Sequence, residues 1–403
     1  MFTVLRQRGF GLLWAAGLIS TTGDWLLFVA LPFYVYQRSG STLATGAMFI
    51  AQMTPPLLFG SVAGVFVDRW DRRRTMIVAD LARAVLLLAL LTVHGRADLP
   101  RIYVVAFLLA ALGQLFGPAK GALIPQLVEG VHLVRANALN ALGDNLPRLV
   151  GPAVGGLLFG VFGLPAAVLA DSASFLVSGL LIATIRVPPI TPVVATPVPQ
   201  VGAAWMAVWR EWRAGLRLVG ADRTLRTLLI MEGLAIVGQG ILDVLLVPFV
   251  KGALHGDAQV FGWLLTVQAM GGLLGGLVIA RRGATVAPTR LFGLSLGLTG
   301  IILVTVANVS LLPLVFALVA LAGLPVVGWL VAGQTLLQGS TTDCYRGRVL
   351  GTYGTTSALT RLGGMGLASV LGDRLGIVPL ITVSGILHVI AAVGALVLLR
   401  AAR

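Results

Sequence analysis

The stretch GVFVDRWDRRR, residues 64–74, decides how this chain is read. Six charges crowd into positions 68–74, whereas the run before them, 43–67, carries none. After them comes a second, mostly apolar run at 75–94. A membrane span needs about 20 predominantly apolar residues, and charges are driven out of the hydrocarbon to its ends. The stretch therefore reads as a short basic loop between two spanning helices.

The same rhythm continues in both directions. Apolar runs near 10–36, 43–67, 75–94, 102–128, 136–161 and 164–186 predict six spans. Runs near 224–250, 260–281, 286–309, 311–336, 348–373 and 376–401 predict six more. The composition agrees: of 403 residues 57% are apolar and 11% charged, where a soluble surface needs roughly a quarter. Fifty-one glycines suit helices that approach closely inside a bilayer. Arg6 and Arg8 ahead of the first run imitate a signal peptide, but that run reaches Tyr36, contains Asp24 and offers no small-residue cleavage site. It reads as a retained first span.

The net charge of +14 serves topology rather than nucleic acid. With the N-terminus inside, the inner segments hold Arg6, Arg8, Arg69, Arg72, Arg73, Arg74, Arg186, Arg210, Arg213, Arg217, Arg281, Arg282, Arg346 and Arg348, among others. The outer segments hold only Arg38, Arg96, Arg101, Lys251 and Arg374. This positive-inside bias favours an even number of spans with both termini cytoplasmic. The single cysteine, Cys344, excludes an internal disulfide and a cysteine-rich metal site.

Three parts are expected: a six-helix bundle at 1–186, a cytoplasmic linker at 187–223 and a second bundle at 224–403. Pro188, Pro189, Pro192, Pro197 and Pro199 hold the start of the linker extended. Its remainder places Trp205, Trp209, Trp212, Leu216 and Val219 at helical spacing, with Arg210, Arg213 and Arg217 on the other side. That pattern predicts a helix lying in the membrane interface, read first as a tether. The bundles also look related. A shift of 216 residues pairs Pro32 with Pro248, Phe33 with Phe249, Gly46 with Gly262 and Gln52 with Gln268. Six spans and six related spans are the repeat logic of secondary transporters, whose substrate site lies between the repeats near mid-membrane.

The loop resembles a motif of the major facilitator superfamily, carried here by Gly64, Asp68, Arg69, Arg72 and Arg73. Asp68 can cap a helix N-terminus and pair with nearby arginines, which makes a conformational latch. Asp71 stands where many members have glycine. In span 5, Gly151-Pro152 followed by Gly155-Gly156 resembles the helix-kink motif of antiporter members. The whole chain resembles the drug:proton antiporter branch that includes macrolide-efflux-type exporters, on Gly23-Asp24, ALPFYVY, the span 5 run, DSASFLVSGLL and RGRVLGTYG. One departure is span 4, where Lys120 is the only cation and the arginine motif of other proton-coupled exporters is missing. The resemblance implies a twelve-helix fold of two pseudo-symmetric bundles, working as a monomer in the inner membrane without a cofactor, and exporting substrate.

Ionisable groups inside spans are costly and mark cavities, pairs or function. Asn137, Asn140, Asp144 and Arg148 follow at steps of three, four and four, so they share one face of span 5, with Asp144 and Arg148 at pairing distance. Glu232, Gln239 and Asp243 mark span 7, where Glu232 and Asp243 share a face. Lys120 and Arg361 are the cations that would balance these acids or meet an anionic substrate. A carboxylate in low dielectric holds a proton more readily than one in water. Asp24 and Asp243, then Glu232 and Asp144, are therefore the candidates for proton coupling. Asp171 and Arg83 read as structural pairs and His388 as a packing residue. No His-Glu-x-x-His, phosphate loop or nucleophile elbow argues for an enzyme. The expected function is proton-coupled export of amphipathic drug-like molecules. Export of one endogenous product, such as a siderophore or a lipid, is the alternative among transporters. A non-transporting membrane sensor is the alternative of another class.

Overall fold

A computed structural model describes residues 4–67, 69–187, 201–341 and 343–399. They are helical almost throughout: α1 (Arg8–Ser39), α2 (Thr42–Val67), α3 (Arg72–Leu88), α4 (Leu99–Leu127), α5 (Leu133–Ala183), α6 (Val201–Ala221), α7 (Arg223–Gly252), α8 (Ala258–Arg282), α9 (Pro288–Ala307), α10 (Leu312–Gly339), α11 (Asp343–Leu375) and α12 (Ile377–Leu398). Ten of these stretches are long and apolar enough to cross a membrane. The longest, α5, holds two spans, because Gly163 breaks its helical backbone at φ 76°. A left-handed residue there favours glycine, and Pro165 restarts the helix. The polar helix α11 completes twelve. Gly376, at φ 89°, turns the chain from α11 into α12.

The outward faces are apolar. Val85, Leu180, Leu274 and Val397 each expose more than half of their surface. On a soluble protein such patches would drive aggregation; here they meet lipid.

The chain divides into two compact units, Met1–Ser39 with Ala51–Gly202 and Asp257–Thr266, and Gly40–Ile50 with Ala203–Gly256 and Val267–Arg403. Each unit thus takes in one short segment from the other half of the sequence. In the first, Phe10 and Leu13 of α1 pack with Met76 of α3, Leu123 of α4 and Leu139 of α5. Trp14 Nε1 donates to the Leu139 carbonyl at 2.7 Å and ties α1 to α5. In the second, Leu228 and Ala235 of α7 pack with Phe292 of α9, Trp329 of α10 and Ala391 of α12.

The span 5 motif is a packing seam. A Cβ on Gly155 would lie 2.7 Å from the Leu26 Cα, and Gly151 meets Trp25, so α5 lies backbone to backbone on α1. Gly156 meets the Ala258 carbonyl, and Gly262 meets that of Pro152, which brings the start of α8 onto α5 within the first unit. In the second unit Gly46 admits Ser369 of α11 in the corresponding way, and Asp373 accepts from Ser41 Oγ at 2.8 Å and Thr42 N at 2.9 Å. Within α5, Gly163 is the residue that leaves helical dihedrals.

The basic loop is anchored on helix ends. Asp71 caps α3, accepting from Arg74 N at 2.7 Å. The capping role expected of Asp68 thus falls, for α3, to Asp71, which adopts φ −60° and needs no glycine. Arg73 donates to the Ile182 carbonyl at 3.1 Å and to that of Ala183, and so binds the carbonyl end of α5. Arg72 reaches the Ala122 carbonyl of α4 at 3.4 Å. Gly64 falls in the last turn of α2. Asp68 itself and the linker prolines lie outside the described residues.

Candidate functional site

The first unit holds an open cavity of about 510 Å³. Ser20, Asp24 and Phe28 of α1 line it, with Gln52 of α2, Arg83 of α3, Gln114 and Lys120 of α4, and Asn140, Asp144 and Asp171 of α5. Apolar walls come from Leu27, Leu31, Leu109 and Phe116.

Two charged groups occupy it. In one, Lys120 Nζ lies 2.8 Å from Asp144 Oδ1, and Asn140 Nδ2 donates to Oδ2 at 3.1 Å. Lys120 fits because α1 carries no side chain at Gly17, where a Cβ would stand 2.8 Å from Nζ. In the other group Arg83 is central. It pairs with Asp80 one turn earlier, lies 3.7 Å from Asp24 Oδ2, and stacks over Phe175 at 4.1 Å. Ser178 Oγ donates to Asp80 at 2.6 Å, and Ser174 Oγ donates to Asp171 at 3.1 Å. Asp80, Arg83 and Asp171 are almost fully buried, while Asp24 turns its carboxylate into the open cavity. Three carboxylates thus gather around one guanidinium.

The second unit holds a different arrangement. Asp243 of α7 accepts from Gln239 Nε2 at 3.1 Å and from Arg361 Nε of α11 at 2.7 Å. Glu232 is buried on the same helix, and among the described residues no cation pairs with it. Trp329 Nε1 of α10 donates to one of its oxygens at 2.9 Å, and the Tyr353 hydroxyl of α11 donates to the other. His388 packs edge-on against Trp329 and shares a 2.8 Å contact between Nδ1 and the Ser384 carbonyl.

The candidate residues therefore separate into two sets. Asp24, Lys120, Asn140 and Asp144 share the cavity of the first unit; Glu232, Gln239, Asp243 and Arg361 belong to the second. The pairing that spacing allowed between Asp144 and Arg148 is not formed: Arg148 lies over the Trp25 ring at 5.8 Å. Asn137 is exposed and does not line the cavity. Sequence reading passed over Asp80, Tyr353 and Trp329. The signal for Asp80 was present, since it stands three residues before Arg83 in VADLARA. Among the described residues no three His, Cys, Asp or Glu side chains converge to hold a metal.

Comparison with known proteins supplies the family. Residues 1–402 match the family described as transmembrane secretion effector. The chain is 28% identical over 375 residues to the multidrug efflux pump Tap of Mycolicibacterium fortuitum, covering 90% of this chain and 88% of that protein. It is 26% identical over 392 residues to macrolide efflux protein A of Streptococcus pyogenes, covering 95% and 94%. Among solved structures, a bacterial homologue of the iron transporter ferroportin in an inward-facing state superimposes with a TM-score of 0.75 at 16% identity, over 97% of this chain and 98% of that one. At that identity the likeness speaks for the fold. The chain is a multi-pass membrane transporter, not an enzyme, and belongs to the transmembrane secretion effector family of the major facilitator superfamily.

Proposed function

We propose that this protein exports amphipathic, drug-like molecules, cationic ones among them, by proton antiport with alternating access across the inner membrane, both termini being cytoplasmic. The observation that carries the reading is the group of Asp24, Asp80 and Asp171 around Arg83. Three carboxylates against one guanidinium leave a deficit of positive charge, and uncompensated charge inside a membrane protein is expensive. Protons or a positively charged substrate can make up that deficit, and exchange of one for the other is antiport. A cavity of about 510 Å³ with aromatic and aliphatic walls suits a drug-sized ligand. Export as the direction is supported by what the two relatives are named for.

Of these acids Asp24 is the one whose carboxylate is open to the cavity, Asp80 and Asp171 being buried, so it is assigned the exchange. In the second unit Glu232, held by the neutral donors Trp329 and Tyr353, is ranked ahead of Asp243, which Arg361 already balances. The loop residues Asp68, Arg69, Arg72 and Arg73 are assigned the latch between transport states.

The test is transport in proteoliposomes with an imposed pH gradient, followed with a fluorescent cationic dye. Wild type should move dye with the gradient, and Asp24→Asn should lose that dependence. Dye movement indifferent to the gradient in wild type would sink the antiport reading. A wild type that moves no dye would shift the assignment to a single endogenous product.

A further inference from the structure

The linker helix α6 has two unlike faces. At about 100° per residue, Trp212, Gly215 and Val219 fall on one side and Met206, Arg210, Arg213 and Arg217 on the other, with Trp209 at its edge. The first side is docked on α11 within the second unit. Trp212 Nε1 donates to Thr356 Oγ1 at 3.2 Å, Val219 is buried, and Gly215 approaches Thr352 so closely that a Cβ would overlap its hydroxyl. The second side is open. Met206 and Trp209 expose 66% and 55% of their surface, and the three arginines beside them are exposed as well. Glu211, the acid of this helix, lies off that stripe.

We propose that this stripe binds anionic phospholipid headgroups on the membrane face where α7 enters. The position argues for lipid. Only Asp222 separates α6 from α7, and its carboxylate caps α7 by accepting from Leu225 N at 2.8 Å. The last turn of α6 is thus held beside the first turn of a span, where Arg223 and Arg226 add further positive charge. The chemistry argues for anionic lipid. Tryptophan favours headgroup depth, guanidinium forks match phosphate, and basic residues near a charged leaflet are drawn to it. Docking on α11 fixes the helix so that the arginines and the exposed Trp209 face one way. It also places the lipid contact beside a working part of the second unit, since Tyr353, next to Thr352, donates to Glu232.

The test uses the full-length protein in vesicles of phosphatidylcholine with added phosphatidylglycerol, the brominated chains being carried by one lipid or the other. Tryptophan quenching is compared between wild type and Trp209→Phe, which isolates the Trp209 signal. Brominated phosphatidylglycerol should quench Trp209 severalfold more than brominated phosphatidylcholine. That excess should disappear in Arg210→Gln/Arg213→Gln/Arg217→Gln, whose substitutions lie on an exposed face and leave the thermal transition unchanged. Equal quenching by both lipids overturns the proposal, as does an excess that survives the triple substitution. Absence of quenching by either lipid also overturns it, in favour of a protein partner. None of these outcomes depends on transport, so the proposed function stands or falls separately.

Discussion

The carboxylate of Asp171 rests against the bare backbone of Gly23, so close that a methyl group there would overlap Oδ1 and the Ser174 hydroxyl. Position 23 therefore fixes where Asp171 sits relative to Asp24 and Arg83. Gly23→Ala should push Asp171 and Ser174 aside and cost about 1–3 kcal/mol, the usual range for overpacking. Thermal unfolding in detergent checks the stability. Gradient-driven transport should fall further than the stability loss accounts for, because the acids around Arg83 are displaced along with the packing.

Gly155 raises a harder obstacle. Its Cβ would meet the Leu26 Cα and carbonyl oxygen, both at 2.7 Å, and backbone cannot rotate away as a side-chain tip does. Gly155→Val should separate α5 from α1 and cost at least about 2 kcal/mol. By contrast, Gly121→Ala in α4 should be neutral within about 0.5 kcal/mol, since a Cβ there meets nothing within 4 Å. Comparing the two melting transitions separates close packing from a general intolerance of alanine or valine.

How much of this was legible in the sequence depends on the range of the interaction. Span number followed from apolar run length, and the break in α5, at Gly163, falls between the runs at 136–161 and 164–186. The 216-residue shift also pointed to real equivalence: Gly46 and Gly262, paired by it, both sit where one helix closes on another. The partner of Asp144 was not legible. Spacing offered Arg148 on the same helix, whereas Lys120 arrives from α4 through the space that Gly17 leaves on α1. Glu232 with Tyr353, 121 positions apart, was equally beyond any local pattern. The Asp80–Arg83 pair, by contrast, is a local one, three positions apart on one helix, and so lies within reach of a sequence pattern.

Lys120 and Asp144 should behave as a coupled pair. Removing one partner leaves the other's charge unmatched, so Lys120→Met and Asp144→Asn should each destabilise the protein. The buried lysine makes the pair stronger than a surface bridge, while the cavity-facing carboxylate keeps it weaker than a fully buried one. The double substitution should recover part of the loss, with a coupling energy of about 1–3 kcal/mol in a double-mutant cycle. Additive losses would show that the two side chains do not share a bond in the folded protein.

Glu232 and Asp243 sit on one helix but should respond oppositely to neutralisation. Glutamine at 232 keeps an oxygen to accept from Trp329 Nε1, and its amide can donate to the Tyr353 oxygen, so the site stays satisfied. Glu232→Gln should therefore melt within about 1 kcal/mol of wild type. Asparagine at 243 instead leaves the Arg361 guanidinium without its anion. Arg361 is partly open to solvent, so the cost is moderate, about 1–2 kcal/mol. Transport should divide the other way. If Glu232 exchanges a proton during the cycle, Glu232→Gln folds well and moves substrate without responding to the pH gradient. Asp243→Asn should keep that response while losing stability. A Glu232→Gln protein whose transport follows the gradient as wild type does would leave Glu232 a packing residue, and coupling would then rest on the acids around Arg83.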